Sequence, residues 1–208
     1  MAEQTERTPL YTLARGLAFL LFHTVCPVKY DHPERAKALQ APAIIISNHL
    51  SAMDPILVAY AVKKYELRFI GKRELAGSRL TDRLLGGLHM IPVTRGGTDM
   101  GAMRACLKTL KEGHILGIFP EGTRHQPDLM QTVESGAAMI ALRADVPVLP
   151  VYIERKFGFF RITRVHIGET MDLSDLKQQG LSSDTIAQLC SRIRELYHGM
   201  REAAIRNS

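Results

Sequence analysis

The segment Asn48-His49-Leu50-Ser51-Ala52-Met53-Asp54 sets an imidazole five positions ahead of a carboxylate. On a continuous helix that spacing turns the two side chains about 140° apart, so they can meet only across a bend. With His49 at a strand end and Asp54 at a helix start, the carboxylate accepts the Nδ1 proton and Nε2 is left to take a proton from a substrate hydroxyl. This is the base and orienting acid of a hydrolase-type triad, with the nucleophile supplied by the substrate. The same residues admit a plainer reading. Asp54 caps a helix, either as the residue before Pro55 or as the partner of Ser51 in a Ser-x-x-Asp capping box, while Asn48 forms a turn and His49 is exposed. This segment alone does not choose between the two.

A second segment, Phe119-Pro120-Glu121-Gly122-Thr123-Arg124, joins a glycine that lets backbone approach a ligand closely, a hydroxyl donor, and a guanidinium fork suited to phosphate oxygens. Glu121 could position Arg124 or a hydroxyl. Alternatively, the segment is a turn with a surface Glu-Arg pair, worth little in stability. Read together, a poised base and an anion pocket suggest acyl transfer to a phosphate-bearing alcohol. Upstream, Gly71-Lys72-Arg73 offers two cations that meet a phosphate or are simply solvated. Downstream, Val146-Pro147-Val148-Leu149-Pro150-Val151 carries two prolines, which points to a shaped edge or a wall.

The elements that must position these residues follow from apolar pattern and punctuation. Ala43 to Ser47 reads as a buried central strand and Pro55 to Tyr65 as a helix opened by Asp54-Pro55. Leu67 to Gly71 is a second strand. A third runs within Leu84 to Val93, where Pro92 marks its end or an edge. Thr98 and Asp99 cap a helix through Met103, Leu107 and Leu110 that Gly113 closes, and the strand Ile115 to Phe119 follows. Val133 to Ala144 is helical in period, Val146 to Ile153 a strand, and Arg161 to Ile167 an edge strand. From Ser182-Ser183 a long amphipathic helix carries Ile186, Leu189, Ile193 and Tyr197 on one stripe. Asp31 to Gln40 is a polar stretch without an assigned element. Strands alternating with helices predict an α/β fold, a single domain with a mostly parallel or mixed central sheet flanked by helices. In such sheets ligands bind where strand carboxyl ends meet helix starts.

With 208 residues, nearly half of them apolar, the chain can bury a full core. A net charge of +6 and a pI near 9.4 point to an anionic partner. The chain lacks Trp and has neither zinc-finger spacing nor an RNA-recognition signature, so a nucleic-acid partner is not expected. Cys26, Cys106 and Cys190 are isolated and odd in number; they predict neither a disulfide framework nor a metal site, and fit a reduced cytosolic setting. The amino-terminal stretch from Leu10 to Val28 is strongly apolar. Its run free of charge, Gly16 to Val28, falls short of the roughly 20 residues that spanning takes. A secretory signal is also disfavoured by Glu3 and Glu6 and by the poor cleavage site at Cys26-Pro27. A helix over Leu10 to Val25 suits an interfacial anchor, or alternatively an ordinary core helix packed on the sheet. Residues 1–30 are thus expected as a membrane-associating helix and residues 31–208 as the catalytic domain.

In this order, the segments around His49, Lys72, Glu121 and Pro147 resemble the four motif blocks of the glycerolipid acyltransferase family, most closely its 1-acyl-sn-glycerol-3-phosphate acyltransferase branch. The resemblance spans roughly residues 40 to 153. It implies that His49 deprotonates the acceptor hydroxyl and that Asp54 orients it. It also implies that Lys72, Arg95, Glu121, Gly122, Thr123 and Arg124 bind the phosphate-bearing lysophospholipid acceptor, and that Pro147 and Pro150 lie by the acyl-binding region. The donor implied is acyl-CoA or acyl carrier protein, with no cofactor or metal besides, and the location is the cytoplasmic face of the cell membrane, peripheral or monotopic. A non-catalytic peripheral lipid-binding protein, or an acyltransferase for another lysolipid or glycerol 3-phosphate, is the competing expectation. Two departures bear on the acceptor: after Arg124 the family commonly has Ser where His125 stands, and it commonly has Lys where Glu134 stands, two residues before Gly136.

Overall fold

Ala43–Ser47 is buried along its whole length, on both faces, which only a central strand of a covered sheet achieves. A computed structural model, describing residues 9–62, 64–72, 90–93, 99–124 and 128–206, shows how it is covered. In chain order the elements are α1 Pro9–Thr24, β1 Val28–Asp31, α2 Pro33–Ala38, β2 Ala43–Ser47, α3 Asp54–Ala61, β3 Leu67–Lys72 and β4 Ile91–Val93. There follow α4 Met100–Lys111, β5 Ile115–Ile118, α5 Ser135–Arg143, β6 Val148–Ile153, β7 Thr163–Ile167, α6 Ser174–Gln178 and α7 Ser183–Arg206. Among the described residues seven strands form one mixed sheet in the order β1-β7-β6-β2-β5-β3-β4, with β2 in the middle. Every pairing is parallel except β6 with β7.

Alternate residues of β2 face opposite layers. Ile44 and Ile46 pack with Met103 and Cys106 of α4, Ala138 and Ala141 of α5, and Leu189, Ile193 and Tyr197 of α7. Ala43 and Ile45 pack with Phe22 of α1, Ala36 of α2 and Leu57 of α3. The result is the expected α/β sheet with helices on both faces. The buried Tyr197 ties one layer to the sheet, its hydroxyl lying 2.5 Å from the Ile46 carbonyl and 3.2 Å from that of Val151.

Some expectations are corrected. The stretch 31–40 holds the end of β1 and all of α2, and β1 takes the edge beside β7. Consequently β7 is not an edge strand, despite its alternating burial. Nor is β6, which is wholly buried between β2 and β7. Pro150 is tolerated inside the sheet because its carbonyl accepts the Gly168 N–H on the β7 side, so its nitrogen also faces that way, just beyond the end of β7. The helix from Asp54 ends at Ala61, short of Tyr65. Of the third strand the described residues show Ile91–Val93, at the other edge as Pro92 foretold; residues 84–89 lie outside the described set. A boundary at residue 30 falls within β1. Among the described residues no helix is long and apolar enough to cross a membrane.

Candidate active site

Strands β2, β5, β6 and β3 run parallel, so Ser47, Ile118, Ile153 and Lys72 end on one edge of the sheet. The chain leaves β2 through Asn48, which is fully buried and clamps the bend: its Oδ1 accepts the Ile153 N–H at 2.7 Å and its Nδ2 donates to the Ile153 carbonyl at 2.9 Å. His49 comes next, and Asp54 opens α3 with Pro55 in its first turn.

Asp54 is fully buried, and four donors converge on it. Its Oδ2 accepts from His49 Nδ1 at 2.9 Å, from the Leu50 N–H at 2.5 Å and from the Ser51 N–H at 2.7 Å. Its Oδ1 accepts from Ser51 Oγ at 2.8 Å. The helix start and these donors together hold an anion there. The capping and orienting readings of the sequence therefore coexist in one carboxylate. With Nδ1 committed to Asp54, the other ring nitrogen, Nε2, has no partner among the described residues. The imidazole is 18% exposed, and that exposure is to the cleft it lines.

Packing fixes the ring's plane. Gly117 on β5 stands opposite Phe69 on β3, and a Cβ there would strike the Phe69 ring at 2.3 Å. Its absence lets Phe69 stack on Phe119, 5.8 Å between centroids, and Phe119 stacks in turn on His49 at 4.2 Å and 21°.

After β5, Pro120 sits at the second position of a tight turn closed by the Gly122 N–H on the Phe119 carbonyl at 3.1 Å, and Gly122 takes φ +63°. The turn buries Glu121 and aims it backwards. Its Oε2 accepts the His49 N–H at 2.7 Å and its Oε1 the Met130 N–H at 3.0 Å. Burial pushes its carboxyl above the ordinary glutamate range, and the two N–H donors oppose that shift. Glu121 thus braces the backbone of His49 rather than Arg124. Arg124 is exposed, lines the same cleft as His49, and has no partner among the described residues.

The cleft encloses about 230 Å³ and runs from His49, Glu121 and Arg124 past Tyr152 and Glu154 to Asp128 and Arg201. Arg201, on α7, is already engaged by Asp128 at 2.9 Å and by His198 at 3.2 Å. Among the described residues no serine or cysteine lines the cleft, and those that do include a base and an anion contact.

The structure brings His49, Asp54, Glu121, Gly122 and Arg124 together, with Thr123 between the last two. Lys72 closes β3 on the same edge, but its side chain and the whole of Arg95 lie outside what is described. Pro147 is at the opposite end of β6, its carbonyl accepting the Ile44 N–H at 2.9 Å, and Pro150 is mid-strand; neither lines the cleft. Sequence reasoning missed the bracing residues Asn48 and Phe119 and the distant Arg201. Asn48 and Phe119 adjoin the motifs; nothing in the sequence points to Arg201.

Known proteins resemble this chain over most of its length. Over 199 residues the chain is 27% identical to a 1-acyl-sn-glycerol-3-phosphate acyltransferase of Streptococcus pneumoniae, covering 92% of this chain and 73% of that one. Over 107 residues it is 31% identical to the protein of the same name from Bacillus subtilis, covering 51% and 53%. The crystal structure of the 1-acyl-sn-glycerophosphate acyltransferase PlsC from Thermotoga maritima shares its fold, with a TM-score of 0.66 at 24% identity over 93% of this chain and 79% of that chain. The Acyltransferase family model matches residues 27–154, a span that contains β2, the His49–Asp54 bend and the Glu121–Arg124 turn, and the chain belongs to that family.

Proposed function

We propose that the chain transfers an acyl group from a thioester of coenzyme A or acyl carrier protein to the sn-2 hydroxyl of 1-acylglycerol 3-phosphate, giving phosphatidic acid. One observation carries the reading: His49, held through Nδ1 by a buried Asp54, turns its unpartnered Nε2 to a cleft shared with the free guanidinium of Arg124. The names of the relatives support the choice of acceptor.

In this reading Arg124 receives the acceptor's phosphate, as a bidentate guanidinium does. The acceptor hydroxyl attacks the thioester carbonyl carbon while His49 Nε2 takes its proton. The carbon–sulfur bond then breaks, and the departing thiolate recovers the proton from the imidazolium. Asp54 keeps the imidazole in the required tautomer and stabilises its charged form. A passive lipid binder has no use for an imidazole held by a buried carboxylate at the mouth of a cleft. The apolar residues that α1 exposes, Leu13, Leu17, Phe19 and Leu20, support peripheral attachment to the cytoplasmic membrane face where such acceptors reside.

The test is transfer from a labelled acyl thioester to lysophosphatidate. His49→Ala lowers kcat by about 10² to 10⁴ with the fold intact. Arg124→Ala raises the acceptor KM more than it lowers kcat. Near-normal turnover in the His49 variant rejects the assignment.

A further inference from the structure

The connection between β6 and β7 carries Arg155-Lys156-Phe157-Gly158-Phe159-Phe160-Arg161-Ile162, a stretch without an acidic residue. Phe157 turns inward and packs edge-on against Phe22 of α1. Phe159 and Phe160 do the opposite: they are 68% and 82% exposed, and Ile162 is exposed beside them. Phe160 also holds φ +55°, an uncommon conformation for a bulky side chain, and it is fixed there by its N–H donating to the Val25 carbonyl at 2.7 Å. An aromatic held in a disfavoured backbone conformation with its ring in water gains nothing from its own fold.

The same hydrogen bond joins the loop to the chain leaving α1. The exposed Leu13, Leu17 and Leu20 of α1 and the exposed aromatics of the loop therefore belong to one secured assembly. Apolar exposure on this scale marks a docking surface. Lys156 and Arg161 are exposed on the loop, and α1 contains no acidic residue. Pairing this face with its own copy would oppose like charges, whereas anionic headgroups above an apolar phase complement both components. The loop also begins where the cleft ends: Ile153 and Glu154 line the cleft, and Arg155 follows directly.

From this we infer that the β6–β7 loop is a second membrane-insertion element, docking on an anionic bilayer. Phe159, Phe160 and Ile162 enter the interface, and Lys156 and Arg161 meet lipid phosphates. With α1 it fixes the orientation of the domain and brings the cleft beside the bilayer surface. The inference rests on the proposed use of a membrane-borne acceptor only for its purpose; the docking itself is measured separately.

Flotation of the full chain with vesicles of phosphatidylcholine, with and without phosphatidylglycerol, tests it. Phe159→Ser/Phe160→Ser should weaken vesicle binding roughly tenfold or more. Lys156→Gln/Arg161→Gln should remove much of the preference for anionic vesicles and leave binding to neutral ones little changed. Both variants should retain wild-type melting temperature and wild-type transfer to a short-chain, fully dissolved lysophosphatidate, while losing transfer to the same head group embedded in anionic vesicles. Wild-type flotation of the Phe159/Phe160 variant overturns the inference, as does absence of vesicle binding by the wild type. A dimer that this variant converts to monomer without loss of flotation overturns it too, by assigning the face to a second copy. If no acyl transfer occurs in any format while flotation follows the pattern above, the functional reading fails and the docking surface stands.

Discussion

The backbone N–H of His49 donates to Oε2 of Glu121 at 2.7 Å, across 72 residues of sequence. The other carboxylate oxygen holds the Met130 N–H at 3.0 Å. Glu121 is thus a buried clasp that fixes the proposed base relative to the turn bearing Arg124. The resemblance implied a role in acceptor binding for this residue; both of its oxygens also accept main-chain donors, which ties it to the position of His49.

Glu121→Gln leaves one oxygen to accept and turns an amide NH2 towards the other donor. Loss of alignment at His49 should lower kcat roughly 10- to 100-fold, with little change in acceptor KM. An effect confined to acceptor KM would assign Glu121 to phosphate binding. The substitution also has a pH signature. The carboxyl is raised above its ordinary value of 4.5 in the folded chain, chiefly by burial, so its stabilising contribution is fully present below the ordinary glutamate range and is lost as pH rises through the raised value. Denaturant melts should therefore show the wild type losing more stability than Glu121→Gln as pH rises across that window.

Asn48 is the other clasp. Its side chain satisfies both the N–H and the carbonyl of Ile153 at the end of β6, in a site closed to solvent. Asn48→Ala strands two buried backbone groups and should cost about 2 to 5 kcal/mol in urea unfolding. Turnover should also fall, because the bend that presents His49 is no longer tied to β6. A variant of wild-type stability would mean that the bend is held by other contacts.

How far the sequence foretells this arrangement depends on range. The bend at His49–Asp54 was legible because a strand signal, a helix-start signal and the five-residue spacing all lie within one short segment. Gly122 was legible as a position needing freedom, and it adopts positive φ. The direction of Glu121 was not legible, since it follows from β5 lying beside β2, a pairing made by long-range packing. The same limit hid β1. The four residues Val28–Asp31 have no pattern of their own and form a strand only because β7 offers an edge. Two prolines made β6 look like an edge, and only the register with Gly168 shows why one is harmless inside the sheet.

Of the two departures from the family pattern, His125 lies outside the described residues, and the position of Glu134 makes its departure testable. Its N–H donates to the Pro120 carbonyl at 2.8 Å, pinning the start of α5 against the turn after β5. Its side chain lies over Gly122, with Cγ and Oε1 3.1 Å from where a Cβ would be. An exposed negative charge therefore sits beside the turn proposed to hold the acceptor's phosphate. At such separations in a solvated setting, repulsion amounts to about threefold to tenfold in affinity and fades with added salt. Glu134→Gln should lower the acceptor KM by about that factor at low ionic strength, and Glu134→Lys should lower it further, with kcat unchanged in both. Lys at a helix start is itself mildly unfavourable, so Glu134→Lys should also melt slightly earlier. The neutral variant separates charge from helix stability. If acceptor KM in low salt is indifferent to both substitutions, the phosphate does not bind at this turn, and the free guanidinium of Arg124 serves another part of the substrate.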